Sequence, residues 1–309
     1  MGSACSKKSK TKDNEETSDA KSEVVDNIEE WNAVVSADRT LLQIAVTSIC
    51  RNIHLHQDIS ELPQDLSQKI FEELVTMKKL CINSLSLFSP CTLIEAVIPA
   101  YPKVTDEWLR VFGEQFCLTK VDVSRCTAIT DAGLMYIRNA TLLHSLSINC
   151  CYRVTDSGLA CLTGLMNLSE LSFEGCDLIT YVGMQHLSGL TNLTSLNAER
   201  CNRISGGLNS LKDLKLLTSL NIGWCNSVTN SDLKPIRGLT KLRSLQLSRS
   251  KVTDDGLELL RDMVLLEHLG LAGCPITNAG LETIKDFTKL EDLNLEWCRI
   301  SDDGIGKLS

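Results

Sequence analysis

From Ala96 onward, apolar and polar positions follow a pattern written nine times. Aligned on one apolar position, the copies start at Ala96, Val121, Leu146, Leu171, Leu196, Leu220, Leu245, Leu269 and Leu293. That position and the one two further on are apolar, as Leu220 and Ile222 show, which is the period of a short strand with one buried face. A second apolar anchor follows: Val104, Ile129, Val154, Ile179, Ile204, Val228, Val252, Ile276 and Ile300. All are β-branched, which suits an extended turn into a core. Apolar residues at helical spacing come next, such as Leu233, Ile236 and Leu239. A unit of strand, turn and helix cannot bury its apolar face alone. The pattern therefore predicts an α/β solenoid of about nine stacked units over residues 96–309.

Polar columns sharpen the unit. Thr105, Thr130, Thr155, Thr180, Ser205, Thr229, Thr253, Thr277 and Ser301 stand where the helix begins, so they are predicted N-caps. Asp106, Asp131, Asp156, Asp254 and Asp302 follow five of them and suit the positive end of a helix dipole. Gly133, Gly158, Gly183, Gly256, Gly280 and Gly304 predict close approach between neighbouring units. Trp108 and Asp232 replace this glycine, which predicts local splaying of the first and sixth copies. In the sixth copy either Thr229 or Ser231 caps, with the helix starting near Ser231 and Pro235 in its first turn. The ninth copy stops part-way into its helix at Ser309, whereas solenoids ordinarily close with a polar capping repeat. The chain therefore reads as truncated, or as part of a longer array.

Before the repeats, residues 1–23 are too polar to form a core and read as a disordered tail. Gly2 behind the initiator Met, Ser6, and Lys7, Lys8, Lys10 and Lys12 fit N-myristoylation, and Cys5 is placed for palmitoylation. One myristoyl chain binds a bilayer only marginally, so a second chain or the lysines would complete the anchor. The expected location is cytoplasmic, at the inner face of the plasma membrane when acylated. Residues 24–95 carry helical patterns and read as a cap over the otherwise naked first repeat.

Composition narrows the function. Hydrophobic residues make up 43% of the 309 and aromatics only 5%, so small aliphatic side chains fill the core. The formal net charge of −8, with no basic stripe, argues against nucleic acid as a partner. The N-terminus lacks an apolar leader and no run approaches 18 apolar residues. Half of the fourteen cysteines share one repeat column: Cys126, Cys151, Cys176, Cys201, Cys225, Cys274 and Cys298. They read as buried thiols in a reducing compartment, so the sequons at Asn139, Asn167 and Asn192 are coincidental. Without C-x-x-C spacing or partnering histidines, no metal is expected. No phosphate loop, H-E-x-x-H or nucleophile–base spacing appears, so neither a cofactor nor an enzyme is expected.

The pattern L-x-L-x-x-C-x-x-[VI]-[ST]-D-x-G-L resembles the cysteine-containing subfamily of leucine-rich repeats, familiar from F-box/LRR proteins. Leu62-Pro63-Gln64-Asp65-Leu66, leading into Ile70, Phe71, Leu74 and Val75, is similar to the first helix of an F-box. The later tryptophan and second apolar block are missing between Met77 and Pro90, so the layout resembles plant members with a degenerate F-box. The resemblance implies a horseshoe-shaped, non-enzymatic scaffold that binds protein partners on its concave face. Residues between and after the strand leucines face that side: Asp122, Arg125, Glu174, Glu199, Arg200, Trp224, Arg249, Glu296 and Trp297. The alternative implied is a substrate-recognition subunit of an SCF ubiquitin ligase, docking its adaptor through Leu62, Pro63, Leu66, Ile70 and Phe71.

Overall fold

The computed structural model describes residues 41–89 and 93–306. Gly2, Cys5 and the rest of the first 40 residues lie outside them. The chain divides between Asn52 and Ile53 into two units. In the first, the described residues are helical over 41–51.

The second unit is the solenoid. Nine three-residue strands, β1 (Glu95–Val97), β2 (Lys120–Asp122), β3 (Ser145–Ser147), β4 (Glu170–Ser172), β5 (Ser195–Asn197), β6 (Ser219–Asn221), β7 (Ser244–Gln246), β8 (His268–Gly270) and β9 (Asp292–Asn294), pair in chain order. Every pairing is parallel. The register joins Ala96 to Val121, Val121 to Leu146 and so on to Leu293, which are the nine positions that aligned the sequence. A short α- or 3₁₀-helical segment returns the chain behind each strand. Strand leucines, β-branched anchors and helix leucines are almost all fully buried from Ala96 to Ile284.

The aspartates do a job that their position in sequence conceals. Asp106 accepts from the N–H of Thr130 at 2.8 Å and from its hydroxyl at 2.7 Å. Asp131 binds Thr155, Asp156 binds Thr180 and Asp254 binds Thr277 in the same way. Asn230 and Asn278 substitute, each accepting from the N–H of Thr253 or Ser301 and donating to its hydroxyl. Each carboxylate or amide thus clips one repeat to the cap of the next. Among the described residues, four cap hydroxyls, on Thr130, Thr155, Thr180 and Thr277, accept from their own helix two residues on.

This clip explains the glycine column. A Cβ at Gly158 would sit 2.5 Å from Asp131 Oδ1, and one at Gly280 would sit 2.5 Å from Asp254 Oδ1. Glycine is needed where the preceding repeat reaches over. The first repeat has none before it, and the sixth follows Gly206, so Trp108 and Asp232 are free to be large. The expected splaying does not occur. Both side chains are buried, and β5, β6 and β7 keep register.

Gly158→Ala is expected to lower stability by about 2 kcal/mol through overpacking and the displaced clip. In urea unfolding, the same change on an Asp131→Ala background should cost much less, because the two mutations share one contact. Additive losses would contradict the clip.

Asp232 turns inward for a second reason. Tyr181 stands where the fourth repeat should supply an aspartate for Ser205. Asp232 serves instead, accepting from Gly206 N (2.6 Å), Ser205 Oγ (3.1 Å), Thr229 N (2.9 Å) and Thr229 Oγ1 (3.0 Å). Thr229 is the cap, and its helix runs Asn230–Leu233. Pro235 is not in that first turn. It opens a separate 3₁₀ turn, Pro235–Gly238, because its missing N–H ends the α-helical ladder.

The helix Gln64–Thr76 closes the first repeat. Ile70, Phe71 and Leu74 are buried, with Phe71 edge-on to Phe88 (5.7 Å) and Phe112 (6.0 Å). Gln68 covers the open edge of β1, accepting from the N–H groups of Ile94 (3.0 Å) and Glu95 (3.2 Å) and donating to the Glu95 carbonyl (3.0 Å). Buried Gln115 ties Leu93 N to the carbonyls of Phe88 and Val111. An edge strand would otherwise present a row of unpaired polar groups. At the other end, Leu290, Leu293, Leu295, Cys298 and Ile300 are half-buried, whereas their counterparts one repeat earlier are buried.

Candidate functional site

In each three-residue strand the middle residue points into the core, so the flanking residues face outward on the concave side. The row after the middle residue is Ser147, Ser172, Asn197, Asn221 and Gln246 across β3 to β7: small, polar and uncharged. The row before it includes Ser145, Ser195, Ser219 and Ser244. Side chains end these strands as well. Asn197, Asn221 and Asn294 each accept from the N–H two residues on, at 3.0 Å.

Charge and aromatic surface collect just beyond, where each strand turns away. Arg125, Cys150, Gly175, Arg200, Trp224, Arg249, Gly273 and Trp297 occupy one column, all with positive φ. From Arg125 to Gly273 their N–H groups continue the ladder, each donating to a carbonyl of the next repeat: Arg200 to Gly223 (2.9 Å), Trp224 to Ser248 (2.6 Å), Arg249 to Ala272 (2.7 Å). The backbone is thereby fixed and the side chains project from the rim.

The structure brings five of the sequence-selected residues together. Arg200 and Arg249, from the repeats on either side, lie 5.6 and 5.2 Å from the centre of the Trp224 ring. Arg200 also pairs with Glu174 at 3.2 Å and approaches Glu199 at 3.9 Å. Glu199 in turn accepts from Asn221 at 2.9 Å. Each exposed cation–π contact is worth about 0.5–1 kcal/mol, so the group is ordered more than it is stabilising. Trp224 remains 43% exposed and Trp297 74% exposed. Asp122 and Arg125 lie nearer the N-terminal end of the sheet, while Glu296 and Trp297 lie three repeats past Trp224, about 14 Å by strand spacing. These do not join the cluster.

The five residues selected for adaptor docking are not one surface. Ile70 and Phe71 are buried in the chain's own core, packed against the first repeat. Leu62, Pro63 and Leu66 alone reach the surface. The apolar side of this helix is the cap's inner face, so Ile70 and Phe71 are corrected from docking residues to core.

The cysteine column is chemically distinct from the site. Each column thiol lies against a strand-end carbonyl of the preceding repeat: Cys126 on Ile98, Cys151 on Val123, Cys176 on Ile148 and Cys201 on Phe173 at 3.3–3.4 Å. Cys225, Cys274 and Cys298 do the same at 3.1–3.3 Å. Sulfur here both fills space and satisfies a carbonyl, a role the sequence pattern alone did not show. Burial pushes Cys176 and Cys225 up to about 12 and Cys151 and Cys201 higher still. Such thiols are inert as nucleophiles at neutral pH. Two sequon asparagines are structural as well, since Asn167 and Asn192 donate to Thr141 and Met166 carbonyls one repeat back, each at 2.8 Å.

Residues 115–137, 238–260, 264–285 and 288–309 match the family model described as Leucine Rich repeat. No curated protein sequence matches the chain. Among solved structures, internalin C2 from Listeria monocytogenes is similar with a TM-score of 0.51 and 19% identity, over 74% of this chain and 88% of that one. The Rad7 and Elc1 complex in yeast aligns over 96% of this chain and 84% of that chain at 15% identity and a TM-score of 0.48. The repeats are leucine-rich repeats, and the fold is an open leucine-rich-repeat solenoid.

Proposed function

We propose that this protein is a non-enzymatic scaffold that binds protein partners on the concave face and strand-end rim of its solenoid. The observation that carries the reading is the Arg200–Trp224–Arg249 group with Glu174 and Glu199. It combines residue types that dominate protein–protein hot spots, held on a backbone fixed by the strand ladder. Anchoring through Gly2 and Cys5 is part of the proposal and would present this face at the cytoplasmic side of the plasma membrane. Docking on an SCF adaptor is the alternative, supported by the surface position of Leu62, Pro63 and Leu66.

One comparative co-purification separates these readings. Ser219→Arg places a large cation on the concave face without touching the core. It is expected to lose partners that wild type retains, while Leu66→Asp keeps them. Loss with Leu66→Asp alone, together with loss of the SCF adaptor, would replace the scaffold reading by the adaptor one. Gly2→Ala should shift the chain to the soluble fraction.

A further inference from the structure

The strand-end rim carries side chains that its backbone does not favour. φ is +58° at Arg200, +57° at Trp224, +61° at Arg249 and +62° at Trp297. Gly175 and Gly273 fill the same column at +70°. Left-handed backbone suits glycine and is strained for bulky residues. Two repeats show that glycine fits here, so the arginines and tryptophans are held at a conformational cost. Strain of this kind gathers at functional sites.

The charges around Trp224 are unequal. Arg200 is already engaged by Glu174 and Glu199. Arg249 has no carboxylate within ion-pair distance among the described residues; its guanidinium lies over Trp224. A guanidinium held over a ring by cation–π attraction alone keeps its N–H donors open, a fork that matches the two oxygens of a carboxylate. Gly273 makes room for this pose, since a Cβ there would come 2.8 Å from Arg249 Cδ and 3.0 Å from Nε. Against a net charge of −8, an uncommitted cation beside an exposed indole is a local exception. An acidic ligand has in this uncommitted guanidinium a point of charge complementarity.

We propose that Arg249 and Trp224 recognise an acidic segment of a partner protein. The guanidinium of Arg249 takes a carboxylate side chain, and the free surface of Trp224 takes an adjacent apolar one. Glu174 and Glu199 hold Arg200 against the ring. The inference rests on the scaffold reading and specifies the partner's chemistry.

The test uses the full chain and a fluorescein-labelled octapeptide alternating Glu and Leu. The Gln/Leu and phosphoserine/Leu versions and inorganic phosphate serve as the other arms. The Glu peptide is expected to bind, with affinity falling as salt rises, and to weaken about tenfold or more in Arg249→Gln. Trp224→Gly should weaken it comparably while leaving the melting temperature unchanged or raised, because glycine relieves the left-handed backbone. Equal binding of the Gln peptide, no effect of Arg249→Gln, or no binding of the Glu peptide at about 1 mM would overturn the proposal. Binding of the phosphoserine peptide alone, or displacement by free phosphate at equal concentration, would also overturn it, in favour of a phosphate site. Co-purified partners lost with Ser219→Arg but kept with Arg249→Gln would leave the scaffold reading standing and this one refuted.

Discussion

Raising the pH from 8 to 10 in reductant is expected to destabilise the solenoid steeply. Column thiols in the folded chain hold their protons because burial disfavours the thiolate, and neighbouring thiols reinforce this for Cys151 and Cys201. Unfolded, the same groups ionise near 8.5. A folded-state value above the unfolded one means the unfolded chain releases protons first as pH rises. Stability is therefore full below about pH 8 and falls through pH 9 and beyond. By pH 10 the cost is on the order of 2 kcal/mol for each of Cys151, Cys176, Cys201 and Cys225. Urea unfolding at pH 7, 8.5 and 10 checks it. A midpoint that does not move between pH 7 and 10 would contradict the buried thiol column.

Replacing Asp232 by glycine, the residue its column otherwise prefers, is expected to destabilise the protein by about 2–4 kcal/mol. Consensus reasoning gives the opposite sign. The structure sets the sign because Asp232 is buried and is the acceptor shared by two helix starts: the Thr229 cap, and the fifth repeat's, where Gly206 and not the expected Ser205 is the N-cap and both donate to Asp232. Glycine leaves the N–H groups of Gly206 and Thr229 without that acceptor. Asp232→Asn should cost about half as much, since one oxygen remains to accept. A Tm for Asp232→Gly equal to or above wild type would show that the fifth and sixth repeats are held by something else.

Much of the fold was legible because a repeat displays its rules nine times. The strand register could be read from the leucine column, since parallel neighbours in a solenoid must align equivalent residues. The helix starts could be read from the hydroxyl column. What one copy of the sequence hides is any interaction that spans two copies. Asp131 sits beside Thr130 in the chain yet serves Thr155, so its local reading as a dipole partner missed the clip. Gly158 and its exceptions Trp108 and Asp232 make sense only once that clip is seen. The cap was legible as an amphipathic helix, but its polar work was not. Nothing local marks Gln68 as the residue that seals the edge of β1, 26 to 27 positions away. At the site, the strand-end column was legible as surface, and Trp224 was one of the residues it marked. That Arg200 and Arg249 would converge on it depended on strand neighbours, which the register supplies. That Ile70 and Phe71 point inward depended on the helix's rotation about its axis, which a short apolar stripe does not fix.

The central claim is that the concave face and strand-end rim bind partners while the helical side serves as scaffold. Site-specific photo-crosslinking within one repeat tests this most directly. A photoreactive residue at Ser219, on the concave face of β6, is compared in cells with one at exposed Lys234, on the helical side of the same repeat. Discrete protein adducts at position 219, absent at 234 and competed by excess unlabelled chain, are expected. Adducts at position 234 alone would contradict the claim.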